Sequence, residues 1–581
     1  MIAVSNEFKK AIKEPERRIK GYVEVLYDVE DVNVSVTSNM TSSYTELSDI
    51  TQGGRVKQNY GTLDYLPLDG SYLTMDTSNN ENSGFISDDL SGTETGRTIT
   101  LNFSSTTLNG ITIYYKNNLP EGTYLTFSDG TTGYIEAPED TGNEIYMQQY
   151  IFDTPKTLTS ITIEYNLWRY ETRKVKIPRI DLGVSAVYKD QDLIEFTVDE
   201  EVNKLVEEVP TNETNVTLNN IYDLFNPLNP QGVVKYLTDG SKIIPHIGVL
   251  TETQGVEFVK MGEFYFDSYT NNSDKTTTLV GKNIIKKLES EPLKNENNTD
   301  FLTTIFERIE FEGLMSNYNY NYIYNENWIN AATVLWKENN LLKFLKDLSF
   351  WQMNLFYGDR NSNLMFRKLD STTKDTLTKN ELLNDVEYKT IDKLNTLNIV
   401  KNTYTASSSS TTTKLIEEKV TLSKSPETFL ITNSSPDMIA STVSQSGGTG
   451  VTKISSGIYS NFVTVTGTIG SNVTLTFNGK SGANVSKKTF SKQLPNTTIS
   501  NVLEFDSDIY YMVSDNTVTS KLPILENAPS YEINFEYNGD PSLEAGDYIE
   551  VETPYGNKPV FIQKNRFTFN GGLSGSIEGV E

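Results

Sequence analysis

The chain has 581 residues, far more than one hydrophobic core can serve, so roughly three to five domains are expected. Its formal charge of -27 repels phosphate backbones and anionic lipid, which argues against specific nucleic-acid binding. The absence of cysteine excludes disulfides, Cys-ligated zinc and a thiol nucleophile. Only 36% of residues are hydrophobic, but 33 Tyr and 26 Phe, with 37 Gly against 19 Pro, suit many short strands joined by tight turns. A mainly β, multidomain chain follows. The first 18 residues lack the apolar core of a signal peptide, and no apolar run is long enough to span a bilayer, so synthesis in the cytoplasm is expected.

After a short basic start, YVEVLYDV (22–29) alternates as a strand without a partner close by in sequence. Between 35 and 183 short alternating runs follow, TITLNF (98–103), GITIYY (110–115), YLTFSDG (124–130) and SITIEYN (160–166). They predict a separate inserted β-sandwich or jelly roll. Residues 184–295 return to strands, LIEFTVDE (193–200), NVTLNN (215–220) and EFYFDSYT (263–270), as in a β-barrel. Helical spacing appears at 301–314 and 338–351, and a hairpin turning at Gly358-Asp359 completes a small α+β domain ending near 385. ASSSSTTTK (405–413) and SQSGGTG (444–450) read as flexible tracts around a further β domain. From 546 to 579 the pattern is strand, Tyr-Gly-Asn turn, strand, strand, Gly-Gly turn, strand, a barrel or meander.

Little in the inventory carries chemistry. The single histidine, His246, lies between Pro245 and Ile247 on a strand and is read as structural, leaving no imidazole for a triad or most zinc sites. The 77 acidic residues would allow a carboxylate pair for glycoside hydrolysis, but such abundance has no specificity, so the chain is read as non-enzymatic. GKNIIKK (281–287) and GKSGANVSKK (479–488) lack the second spaced glycine of a phosphate loop and read as turns. No cofactor is expected. The acid- and amide-rich stretch 76–84 fails the EF-hand pattern but leaves an irregular structural Ca2+ site in the insert open. Trp168, Tyr65 and Tyr72 are candidates for an apolar platform under a sugar ring, with Asp69 and Arg97 as polar anchors; core packing competes for each aromatic. Trp328, Trp336 and Trp351 fall in the helical region and are assigned to packing.

In order along the chain, PERRIKGYVEVLY (15–27), LDGSYLTMD (68–76), SGFISDDLSG (83–92), ITLNFSSTTLNGITIYY (99–115), RKVKIPRIDLG (173–183), YDLFNPLNP (222–230), MGEFYFDSYTNNSDKTTTLVGKNII (261–285) and GDPSLEAGDYIEVETPYGNKPVFIQKNRFTFNGGLSGSIEG (539–579) resemble the tail hub and tail-associated proteins of Gram-positive phages and phage-tail-like particles. In many of those proteins a discoidin-like carbohydrate-binding sandwich is inserted. The resemblance implies two hub β-barrels, one from 1–34 with 184–295 and one from 386–404 with 530–581. It also implies an inserted sandwich at 35–183, a small α+β domain at 296–385 and a Ser/Thr-rich β domain at 405–529, which matches least. The implied assembly is a homotrimer whose barrels form a pseudo-sixfold ring that adapts a hexameric tail tube to the tip. Its implied partners are the tail tube protein, distal tail or baseplate proteins, the tape-measure protein and a tail fibre or spike. Host cell-wall glycan is the outside ligand for the insert, and the virion tail tip is the location. The competing readings are a host-surface glycan-binding protein and a carboxylate-dependent cell-wall glycosidase.

Overall fold

The computed structural model describes residues 1–29, 32–38, 85–86, 97–116, 120, 122–136, 145–165, 176–177, 179–205, 207–229, 232–252, 255–293, 312, 315–316, 318, 320–324, 340–438, 441–497, 500–506 and 515–581. They form a mainly β architecture of several separate sheets. The basic start is a capped helix, α1 (Asn6–Lys13): the Ser5 hydroxyl accepts the Phe8 amide at 3.0 Å, and Phe8, Ala11 and Ile12 share the buried face.

After β1 (Ile19–Leu26) the chain enters a sheet in which β2 (Val34–Ser38), β4 (Arg97–Lys116), β7 (Ile145–Tyr165), β5 (Gly122–Phe127) and β6 (Thr132–Glu136) lie side by side in that order. Strand β9 (Arg179–Asp181) pairs with β4, and the short β3 (Phe85–Ile86) with β8 (Lys176–Ile177). The runs at 98–103 and 110–115 are one strand, not two, because register shifts at Asn102/Thr106 and Leu108/Gly110 absorb the irregularity. Ile99, Leu101, Leu125, Ile161 and Ile163 form part of this unit's buried core.

The return strand β10 (Ser185–Lys189) pairs with β1, which is covered on its other side by β13 (Lys242–Thr251). These partners, supplied from far along the chain, answer the strand that sequence leaves alone. With β11 (Leu193–Glu201), β12 (Glu213–Asn219), β14 (Gly255–Lys260), β15 (Phe264–Asn271) and β16 (Thr276–Lys282), they give the order β10-β1-β13-β15-β16-β12-β11, with β14 on β13. GKNIIKK is not a turn: it ends β16 and starts α2 (Ile284–Ser290), where Asn283 caps the Ile285 amide and Ile284, Ile285 and Leu288 are buried.

Helix α3 (Leu341–Gln352) follows the predicted spacing and stops at Met353, whose φ of 55° is left-handed. The expected hairpin follows as β18 (Asn354–Gly358) and β19 (Leu364–Lys368), with β17 (Tyr322–Tyr324) parallel to β19. The helical pattern at 301–314 lies almost wholly outside the described residues. Next come β20 (Thr373–Leu377), β21 (Glu387–Thr390) and β22 (Thr396–Thr405).

Two three-stranded sheets then close over Val463, Val465, Val473, Leu475 and Phe477. One contains β23 (Thr413–Thr421), β28 (Asn472–Gly479) and β25 (Thr442–Ser446); the other contains β24 (Glu427–Thr432), β27 (Ser460–Thr466) and β26 (Gly450–Ser456). The SQSGGTG tract is the tight connection between them, since Gly447 takes a φ of 92° and the Gln445 side chain bonds both the N and the O of Gly448. Strands β29 (Asn484–Gln493) and β30 (Val502–Asp506) flank β22, and Phe505 stacks on Phe350 of α3.

The C-terminal strands are β31 (Tyr531–Tyr537), β32 (Tyr548–Thr553), β33 (Gly556–Phe569) and β34 (Leu573–Val580). Two strands expected before the Gly-Gly turn are one, β33, irregular at Ile562/Lys564. Its first half pairs with β32; its second half lies between β34 and β11, from Glu201↔Lys564 to Phe196↔Phe569. Through this seam the order continues β11-β33-β34-β31-β21, giving one fourteen-stranded sheet. One core spans it, from Phe8 and Val25 to Phe567 and Ile577, and Phe196 stacks on Phe569 at 5.2 Å.

Candidate functional site

Tyr65, Asp69, Tyr72 and Trp168, proposed as a sugar platform, lie outside the described residues, as does the 76–84 stretch considered for Ca2+. Arg97 opens β4 with its backbone opposite Tyr165. Among the described residues no three His, Asp or Glu side chains gather as a metal site, and no helix is long and apolar enough to cross a membrane. What the structure does assemble is two buried polar joints and a set of projecting apolar residues.

The first joint ties the 34–181 sheet to the large one. Arg179 on β9 donates through Nε to Asp181 at 2.7 Å and through a terminal nitrogen to Glu24 of β1 at 2.6 Å. Its guanidinium lies 4.8 Å from the Tyr114 ring. Burial opposes the Arg179 charge, but Asp181 and Glu24 hold its pKa well above the ordinary value. Asp181 also accepts the Ser185 hydroxyl at 2.7 Å, and Asp28 accepts the amides of Val184 at 2.6 Å and Asn109 at 3.2 Å. His246, on β13 opposite Tyr22, belongs to this joint: its ring stacks on Tyr22 with centroids 4.4 Å apart, and Nε2 is 3.5 Å from Glu24. Such a network costs desolvation, and its hydrogen bonds tie β9 and the start of β10 to β1.

The second joint is the loop 538–547, which contains the GDPSLEAGD motif. Three arginines, one before β1 and two from the β18–β19 hairpin, donate to its backbone. Arg17 reaches Gly539 O at 3.0 Å and Leu573 O at 2.7 Å, and also Asn538 O. Arg360, at the turn between β18 and β19, reaches Leu543 O at 2.9 Å and Pro541 O while gripping Glu200 of β11 with both arms. Arg367 of β19 reaches Gly546 O at 3.0 Å. A planar fork with five donors suits several carbonyls at once, as a lysine would not. Arg360 therefore locks the α+β unit, β11 and the C-terminal strands at one point.

None of these arginines was singled out from sequence. Arg179 and Asp181 fall within RKVKIPRIDLG, but carbonyl acceptors leave no mark on residue identity, so the grip on 538–547 had no local signal.

The third feature is the loop 220–232, which carries YDLFNPLNP. Asn229 donates to Asp223 O at 2.9 Å, Asn271 to Phe225 O at 2.6 Å, and buried Phe225 anchors the loop in the core. From this braced base Ile221, Tyr222 and Leu228 project at 63, 81 and 88% exposure. These three are among the more exposed large apolar side chains of the described residues.

No family model and no curated protein matches this chain. Among solved structures it is similar to the 43 kDa tail protein of prophage MuSo2 from Shewanella oneidensis, at 9% identity over 68% of this chain and 96% of that one, with a TM-score of 0.38. A tail protein of Neisseria meningitidis is similar at 8% identity over 68% and 93%, TM-score 0.36. A prophage tail protein of Listeria monocytogenes is similar at 9% over 68% and 91%, TM-score 0.34.

Proposed function

We propose that this chain is a non-enzymatic structural hub at the tip of a phage or phage-like tail, three copies of which form a ring that adapts the tail tube to the tip. The reading draws on the ordered sequence resemblance, and the observation that carries it is the β11–β33 seam. Two strand-rich regions far apart in sequence lie side by side in one sheet over one core, which supports reading them as two adjoining blocks of one chain. In this reading 1–34 with 184–295 and 386–404 with 530–581 are the two blocks. Residues 35–183 are an outward insert that reads host glycan, 296–385 brace the seam, and 405–529 are peripheral. Tube, distal tail, baseplate and tape-measure proteins are the neighbours, and the Ile221/Tyr222/Leu228 loop is a contact for one of them.

Light scattering on the purified chain, with electron microscopy of the particle, tests this. The expected result is a species three times the 65.4 kDa chain mass that forms a threefold ring at the tail tip. A chain that stays monomeric and is absent from tail tips would overturn the proposal.

A further inference from the structure

The solvent face of the 34–181 sheet is ordered in a way its fold does not demand. Thr37, Thr100, Thr162, Thr126 and Thr132 occupy a single row across the five adjacent strands β2, β4, β7, β5 and β6. On the next row along the strands stand Ser35, Asn102 and Ser160. On the row to the other side stand Thr98, Glu164, Tyr124 and Tyr134. Thr37, Thr126, Thr132, Tyr124 and Tyr134 are exposed, and the central members are half-buried. The opposite face is the apolar core.

Threonine is a favoured strand residue, so a few exposed ones need no explanation. The aromatic end of the face adds an independent feature. Tyr134 packs against Tyr124 with centroids 4.8 Å apart, and a Cβ on Gly122 would lie 2.3 Å from the Tyr134 hydroxyl. The ring can lie along the sheet only because residue 122 has no side chain, and it remains 45% exposed. An exposed aromatic pair at one end of the face, with Glu164 on the strand beyond Tyr124 and a row of hydroxyls alongside, combines the groups that bind sugars: an apolar surface for the C–H face, and donors and acceptors for the hydroxyls.

We infer that this face binds an extended, uncharged polysaccharide lying across the strands. The inference rests on the reading of the insert as a glycan reader and places the site on residues other than Tyr65, Asp69, Tyr72 and Trp168. Neighbouring strands are about 4.8 Å apart, so the threonine row spans about 19 Å; the Thr100 and Thr162 hydroxyls at its centre bond to each other at 2.9 Å, and Thr37, Thr126 and Thr132 are exposed on either side of them. Charge selects the occupant. The three rows hold no cation and a single carboxylate, so a polyanion gains nothing there and a polycation finds one partner, whereas a neutral polyol can bond to every row.

The test uses the full chain, co-sedimented with protein-free Gram-positive cell-wall sacculi that retain their polysaccharide, and with cellulose as a second neutral probe. Thr100→Val/Thr126→Val/Thr162→Val removes the hydroxyls and keeps the β-branched shape; Tyr134→Ala removes the plate; Tyr555→Ala, on the exposed turn between β32 and β33, is the control. Wild type and Tyr555→Ala should be retained on at least one probe and released by soluble polysaccharide from the same source. The triple variant and Tyr134→Ala should each bind at least about tenfold more weakly, with unchanged circular dichroism. Should the triple variant misfold, Tyr134→Ala alone decides. Equal retention of all variants would remove this face as the site and leave a glycan site elsewhere in the insert. No retention of wild type on either probe would overturn both the face and the glycan reading, without touching the hub proposal.

Discussion

Replacing Arg360 with methionine tests whether the grip on loop 538–547 holds the two halves of the large sheet together. The substitution keeps an apolar stem of similar reach but removes every donor. Glu200 is then left buried without its guanidinium partner, and the carbonyls of Pro541 and Leu543 lose theirs. Burial already pushes the Glu200 carboxyl above its ordinary pKa against the pull of Arg360, so an isolated Glu200 has a strong reason to take up a proton. Breaking one side of a buried pair costs about 3 to 5 kcal/mol. Replacing both, as Arg360→Met/Glu200→Leu, should recover most of that loss, because the desolvation of the carboxylate disappears with it. Calorimetry with hydrogen exchange over 538–547 and β33 is the assay, since a chain of several units need not unfold in one step. The single variant should lower the transition that contains β33 and speed exchange in the loop; the double variant should restore most of the transition while the loop, still without its donor, keeps exchanging fast. A single variant within about 1 kcal/mol of wild type, or a double variant worse than the single, would refute the reasoning.

Three further outcomes are expected. Gly183→Ala should destabilise the joint at β9 and β10 by about 1 to 3 kcal/mol in thermal melts, because φ is 134° there and a Cβ would meet Asp28 O at 2.8 Å. Burial raises the Glu263 pKa, but Lys260 and Lys242 overcome it and hold the value below the ordinary 4.5. Its contribution is thus present above pH 4.5 and lost as pH falls through the lower folded value, so Glu263→Gln should flatten part of the acid limb of a stability–pH curve. Burial also lowers Lys521 from 10.5 to about 8. For a base depressed on folding, stability declines as pH falls from 10.5 to about 8, so Lys521→Met should stabilise the chain near pH 7 and gain less at pH 10.5 in paired melts.

The parts of the fold legible in sequence are those fixed by local periodicity. LIEFTVDE became β11, the leucine and phenylalanine spacing of 341–351 became α3, and Gly358-Asp359 turned a hairpin, because each pattern matches the repeat of one element. The short helices α1 and α2 were missed: eight and seven residues carry barely two turns of pattern, and the signals were the caps Ser5 and Asn283. Long strands with bulges read as several short ones, as in β4 and β33, because a register shift resets the alternation that defines a strand. The β11–β33 seam joins segments more than 350 residues apart, a pairing that neither segment announces. The same holds for the threonine row: each Thr is unremarkable in its own strand, and only the register of β2, β4, β7, β5 and β6 makes them a line.

The arginines carry a consequence for assembly. Arg179 and Arg360 are paired with internal carboxylates and so offset little of the acidic surface of a chain whose net charge is -27. In the proposed ring such acidic copies would repel one another through their surfaces, and apolar burial between them would offset that repulsion. The braced loop that exposes Ile221, Tyr222 and Leu228 is a place where the chain offers such burial. Screening weakens the repulsion and leaves apolar contact intact, since the Debye length falls from about 30 Å at 0.01 M to about 8 Å at 0.15 M salt. If the ring forms, added salt should strengthen it, the opposite of an assembly held by surface ion pairs.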